Sequence, residues 1–215
     1  MSQILLLPPG VVTAAAVLAA VVLPAVVLSA VYVLIFMAFV IHEAGHWLAA
    51  RMFKLPAPVF SMSPKRAPYR VVGRAFGTQF RCSLRWIKGC YVAVLFDPSD
   101  TDRIVALETA TGIKMPESRA ALWWQRAFVY AAGPIANIMC ASACAILAYW
   151  LLPPSAELSL MFGLLLLTLV VNSVVNLLAA LANLAPRKGF DGWQILDEIR
   201  RRPKHGWRPL PDLRP

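Results

Sequence analysis

Apolar positions in this chain come in long blocks rather than at helical or strand spacing. Val11–Ala50 is almost unbroken apolar sequence, and so are Phe128–Leu152 and Leu158–Leu184. A helix needs about 20 apolar residues to cross a bilayer. The first block therefore has room for two spans and the others for one each. The expected elements are an N-terminal hydrophobic segment with an extra span in 1–30 and core spans at 31–50, 128–152 and 158–184. Pro24 sits between two apolar stretches of the first block with no polar turn beside it. The reading taken is a separate first span; one long kinked helix is the alternative. The fold class is an all-α polytopic membrane protein with a small β region.

Residues 51–127 differ in texture. Pro56, Pro58, Pro64 and Pro68 break helices early. β-branched and aromatic runs follow at Tyr69–Val72, Gly77–Trp86 and Tyr91–Phe96, separated by Gly73, Gly77 and Lys88-Gly89. They read as short strands in hairpins. Pro116-Glu117 opens an amphipathic helical pattern that runs through Trp123 and Trp124 into the next span, the tryptophans fitting an interfacial anchor.

Composition narrows the class. Apolar residues make up 59% and charged residues 15%, against a soluble norm of about 45–50% and 25%, and mean hydropathy is +0.63. A disordered chain is excluded. Four cysteines are too few and too dispersed for a disulfide scaffold. The net charge of +10 is unevenly placed. No Lys or Arg occurs in 1–50 or 127–186, while 13 lie in 51–126 and 8 in 187–215. The positive-inside rule then puts the 51–127 loop and the 185–215 tail in the cytoplasm and the link Pro153–Glu157 outside. The basic charge reads as contact with anionic lipid rather than nucleic acid, since no compact basic reader motif is present.

The chemistry lies inside an apolar block, in His42-Glu43-Ala44-Gly45-His46. Residues four apart on a helix share a face. Two imidazoles so placed can grip one zinc ion, and the adjacent Glu43 can take a proton from activated water. A charged or polar group at the bilayer centre costs about 2.5–3.5 kcal/mol on insertion scales, so three ionisable groups within five residues call for a partner, and a metal supplies it. A hydrolytic site needs a third protein ligand. Glu157 is on the wrong side. Asp97, Asp100, Asp102, Glu108 and Glu117 lie in the loop, and His205 lies in a Pro-rich basic tail. Asp191 follows the last span, where Pro186 and Gly189 break the helix and allow the chain to fold back.

At this point the sequence resembles the site-2 protease family of intramembrane zinc metalloproteases. Three motifs carry the resemblance: HEAGH at 42–46, Ala131-Ala-Gly-Pro-Ile-Ala-Asn137, and Asn183-x-x-Pro186 followed by Asp191-Gly192. Lys88-Gly-Cys-Tyr-Val92 also stands where the family has a Gly-Gly-Tyr-Val strand of a membrane re-entrant hairpin. The resemblance implies a three-helix core and one zinc per chain. His42, His46 and Asp191 would be its ligands and Glu43 the catalytic base. Asn137 would stabilise the oxyanion or orient substrate. Asn183, Pro186, Tyr91 and Val92 would hold an extended substrate strand. The implied substrates are single-span membrane proteins or signal-peptide remnants, cut in a cell membrane of prokaryotic type. The family's Pro after Asn-x-x-Pro is Lys188 here, and the second Gly of Gly-Gly-Tyr-Val is Cys90. A 77-residue loop is too short for these β elements plus a PDZ domain, so a compact form is expected. The competing reading is a non-catalytic zinc-binding membrane protein acting as transporter, sensor or inactive scaffold.

Three further features read as structural. Asn172 and Asn176, one turn apart, suit interhelical hydrogen bonds. Cys140 and Cys144 suit packing, and a Cys82–Cys90 disulfide is not expected on the reducing side.

Overall fold

A computed structural model describes residues 9–63, 69–83, 90–117, 119–152 and 159–201. Pro64, Pro68, Lys88, Gly89, the 153–157 link and His205 lie outside these residues. The described residues build three long apolar helices, two shorter helices and a four-stranded sheet.

Helix α1 spans Pro9–Met52 without a break. This corrects the expected division of the first block. Pro24 lies inside the helix, so among the described residues no turn divides residues 9–52 into two helices. A proline removes only one backbone donor and disturbs one turn; with apolar residues on both sides, nothing compensates the polar groups a hairpin there would expose to lipid. Ala20–Met52 qualifies by length and composition as one membrane-crossing helix. Two others qualify, α3 (Trp123–Trp150) and α4 (Leu160–Leu184).

Helix α3 is central and packs against both α1 and α4. The contacts are made by small residues: Ala38, Ala49, Ala50, Ala132, Ala141, Ala148 and Ala180 are buried, whereas Leu160, Met161, Met139 and Trp150 lie largely exposed. In lipid, large apolar groups gain little from burial and close backbone approach drives association. Gly45 shows how close that approach is. A Cβ there would collide with the carbonyl oxygen of Ala132 and come within 2.9 Å of the Ala136 Cβ. Polar cross-ties add to the α3–α4 seam. The Ser173 hydroxyl donates to the Ala141 carbonyl at 2.8 Å, and Asn172 Nδ2 donates to Cys144 Sγ at 3.1 Å. Asn172 thus bonds across helices as read from sequence. Asn176, fully buried, instead donates to the Asn172 backbone and side-chain oxygens on its own helix.

The sheet comprises β1 (Val59–Met62), β2 (Arg70–Ala75), β3 (Thr78–Cys82) and β4 (Tyr91–Ala93), in the order β2-β3-β1-β4. β2 and β3 form an antiparallel hairpin whose two turn residues, Phe76 and Gly77, both have positive φ (52 and 69), the signature of a type I′ turn. β3 runs parallel to β1, and β4 pairs antiparallel with β1. β1 falls where the sequence suggested only helix breaking. Pro56 and Pro58 precede it and lack donors, but their carbonyls accept from Leu95 N at 2.9 Å and Gln79 N at 2.8 Å. They start a central strand without interrupting its ladder.

Helix α2 (Thr101–Thr111) is capped by Asp100, whose side chain accepts from Arg103 N, and ends at Gly112 with φ 65. It was not anticipated. The amphipathic helix expected from Pro116 is not formed; the described residues from Gly112 to Leu122 are non-helical, and α3 begins only at Trp123. Ala121 N instead donates to Phe96 O at 2.8 Å, so this segment packs beside the chain leaving β4. Arg74, Gln79 and Arg81 of the sheet donate to the Ala110 and Thr111 carbonyls at 2.8–3.3 Å. The two arginines supply the positive charge that the last turn of α2 lacks.

Candidate metal centre

His42 and His46 project from α1 toward α3 and are buried. Their Nε2 atoms lie 3.1 Å apart. The rings fit against α3 because position 133 has no side chain. A Cβ on Gly133 would stand 2.5 Å from His46 Nε2, 2.6 Å from His46 Cε1 and 2.7 Å from His42 Cε1.

The third group arrives from α5 (Asp191–Arg201), whose first residue is Asp191. Gly189, with φ 94, turns the chain after α4. Gly192 then lets α5 press onto the end of α4, since a Cβ there would collide with Leu184 O and stand 2.8 Å from Ala185 O. Asp191 Oδ2 ends 2.8 Å from His42 Nε2 and 3.5 Å from His46 Nε2. Burial acts against its charge, but the two imidazoles beside it more than offset this, and its carboxyl is held below its ordinary range. Position at a helix N-terminus also favours the carboxylate.

Hydrogen bonding on the far side of each ring decides which nitrogen is bare. His46 Nδ1 is 2.6 Å from the Val129 carbonyl. A carbonyl only accepts, so Nδ1 carries the proton and Nε2 presents a lone pair. His42 Nδ1 is 3.4 Å from the Asn137 side-chain amide nitrogen. Asn137 is fully buried, and its Oδ1 lacks a partner as placed. Amide oxygen and nitrogen are interchangeable by a flip. With Oδ1 turned to His42, Nδ1–H donates to it, the orphaned acceptor is satisfied, and His42 Nε2 is also bare. Asp191 Oδ2 is likewise buried and accepts no well-aligned hydrogen bond.

With both imidazole protons on the outer nitrogens, three acceptor atoms would converge, an arrangement that a cation between them would relieve. All three lie within 4.8 Å of one another. Donors held about 2.0–2.1 Å from a tetrahedral centre are spaced about 3.3 Å apart, so separations of 2.8, 3.1 and 3.5 Å fit a small divalent cation. Two neutral imidazoles and one carboxylate are a donor set typical of a zinc site with an open fourth position.

Glu43 is half-buried on the same turn of α1. The Val92 backbone amide on β4 comes within hydrogen-bonding reach of its carboxyl. Tyr91 and Val92 thus belong to the strand nearest the base, and among the described residues β4 is an edge of the sheet. Asn183 and Pro186 are not brought to the cluster in the same way. Asn183 Nδ2 donates to Ala179 O on its own helix at 2.9 Å, and Pro186 is exposed in the bend after α4. Cys90 lies near Glu43, and burial pushes its thiol up to about 12, so it stays protonated and is no thiolate ligand. All four cysteines are free. Sequence reasoning missed Gly133 and Val129. Gly133 lies in a motif already singled out, but only the packed rings reveal its purpose. Val129 acts through its backbone and left no side-chain signal.

A carboxylate able to accept a proton, set beside a His-His-Asp cation site among apolar helices, defines the centre of a membrane metallopeptidase. The family model described as Peptidase family M50 matches residues 30–163, and the chain belongs to that family, the site-2 proteases. The match ends before Asp191, so the third ligand rests on the geometry above. No curated protein matches the chain closely enough to name a relative.

Proposed function

We propose that the protein is an intramembrane zinc metalloendopeptidase that hydrolyses peptide bonds in or near the membrane segments of single-span proteins, including signal-peptide remnants. The observation that carries this is the convergence of His42, His46 and Asp191 beside Glu43 on helices long and apolar enough to span a bilayer. The basic charge of the loop and tail favours the cytoplasmic side for the 51–127 sheet region and α5. His46 is six residues from the end of α1, so water reaches the site from that side through about 9 Å of helix.

His42, His46 and Asp191 would hold the zinc ion, which when bound would supply a Lewis acid for activating water and polarising a carbonyl. Glu43 accepts the proton from the attacking water and passes it to the departing amine nitrogen. Val129 and Asn137 keep the imidazole protons on the outer nitrogens, so the inner ones stay available. A helical substrate has no free backbone donors, so it must unwind before attack. The outer edge of β4, with Tyr91 and Val92, offers it a strand to pair with. Asn183 and Pro186, at the end of α4, flank the turn that delivers Asp191.

The test uses purified protein and a fluorescent transmembrane peptide. Glu43→Gln should abolish cleavage while zinc stoichiometry stays near one per chain. Unchanged cleavage in that variant removes Glu43 from the mechanism. Bound zinc without cleavage across a broad substrate panel supports the non-catalytic zinc-binding alternative.

A further inference from the structure

The third metal ligand sits on a short helix that follows the last apolar span. α5 leaves α4 through a short bend and owes its position mainly to α3. Besides its packing along α3, α5 has two polar ties on one face, seven residues and so about 10.5 Å apart along its axis. Asp191 meets the histidines at one end. At the other, Glu198 Oε2 accepts from Arg126 Nε at 2.9 Å, in a pair whose side chains are 29% and 13% exposed. Arg126 Nη1 also donates to Ala121 O at 3.2 Å, and Ala121 N in turn donates to Phe96 O at 2.8 Å.

Arg126 and Val129 lie three residues apart in α3, on adjacent turns. Val129 orients His46 through its carbonyl, and Arg126 holds the helix that carries Asp191. One stretch of α3 thus sets both the ring and the carboxylate, and the same arginine ties them to the segment following β4. The planar guanidinium has donors for two partners at once, which a lysine could not serve in this geometry.

We propose that Arg126 and Glu198 are positioning residues, an ion-pair latch that holds Asp191 at ligating distance and thereby sets the zinc affinity of the site. The proposal rests on the metallopeptidase reading. A latch that only stabilised the fold would lower melting temperature without changing zinc affinity. A positioning latch changes affinity itself, because ligand reach is lost in the folded protein.

The experiment measures zinc Kd by chelator competition on the full chain in detergent, with the melting temperature of the zinc-free form recorded alongside. Removing supporting partners of metal ligands weakens binding about 10- to 100-fold. Arg126→Gln and Glu198→Gln should each raise Kd about tenfold. Their double variant should be no worse than Arg126→Gln alone, since the Glu198 change removes a contact already lost. The exchange Arg126→Glu with Glu198→Arg, which restores the ion pair but not the bond to Ala121, should bind zinc more tightly than either single variant. If Arg126→Gln does not accumulate folded, Glu198→Gln carries the same test, being close in shape and leaving a half-exposed arginine. A Kd within twofold of the unmodified protein in Glu198→Gln, whatever its melting temperature, overturns the latch. An unmodified protein that binds no zinc overturns the metallopeptidase reading and the latch with it.

Discussion

At the scale of single residues, the site depends on side chains that are absent. Gly133 gives up its Cβ so that two imidazoles can lie against the α3 backbone, with the nearest atom 2.5 Å from where that carbon would be. Contacts of that length are untenable, so an added methyl must push the rings aside by about 1 Å, and misplacement of that order costs about 100-fold in rate. Gly133→Ala should therefore reduce cleavage about 100-fold and weaken zinc binding. Gly163→Ala is the control, because nothing lies within 4 Å of its Cβ. It should keep full activity and gain slightly in stability. Equal activity in the two variants would show that the rings do not need the space at 133. Asp97 behaves differently, being fully exposed. Bonds from the Ser99 amide and hydroxyl hold its carboxyl below the ordinary range, so its small contribution is present above that range and fades as pH falls through the lowered value.

At the scale of elements, the sheet is docked on α1 one residue past the second histidine. Trp47 Nε1 donates to Thr78 Oγ1 at 2.9 Å, and that hydroxyl donates onward to Ala57 O at 2.7 Å. The indole also packs near Phe76 and Phe80. Trp47→Phe keeps most of the ring contact and deletes one hydrogen bond, a loss of about 1 kcal/mol. Hydrogen exchange at Thr78–Cys82 should quicken while zinc stoichiometry is unchanged. Exchange rates equal to those of the original would mean that the sheet is held by its aromatic contacts alone. The strands β2, β3 and β4 were legible because β-branched and aromatic runs were punctuated by glycine. β1 was not, because Pro56 and Pro58 signal breakage unless one knows that their carbonyls have partners waiting. α2 was hidden by its acidic and basic residues and its short length, while the helical pattern after Pro116 misled because Ala121 pairs with Phe96 instead.

At the scale of the whole molecule, the cation site closes a loop between residues 46 and 191 and links α1 to α5. A ligand that binds only the folded chain stabilises it by mass action, by about 2.7 kcal/mol at a concentration 100 times its Kd. For a chain of this size that corresponds to about 5–10 °C. Stripping zinc with a chelator should lower the melting temperature by that amount, and adding zinc back should restore it in a concentration-dependent way. A melting temperature indifferent to zinc would show that the ion does not bridge the two helices.

The sequence by itself determined which stretches are long and apolar enough to cross a membrane, which two histidines share a face, and which glutamate stands beside them, because these follow from apolar length and helical period within one segment. It also offered Asp191 as one of several carboxylates, and resemblance singled it out. Only the tertiary structure brought that carboxylate to the rings, joined the two apolar stretches around Pro24 into one helix, and assigned Gly133, Val129 and Arg126 their roles. Each of those depends on the distance between backbones far apart in sequence, and close approach between elements leaves no periodic trace in the residues that permit it.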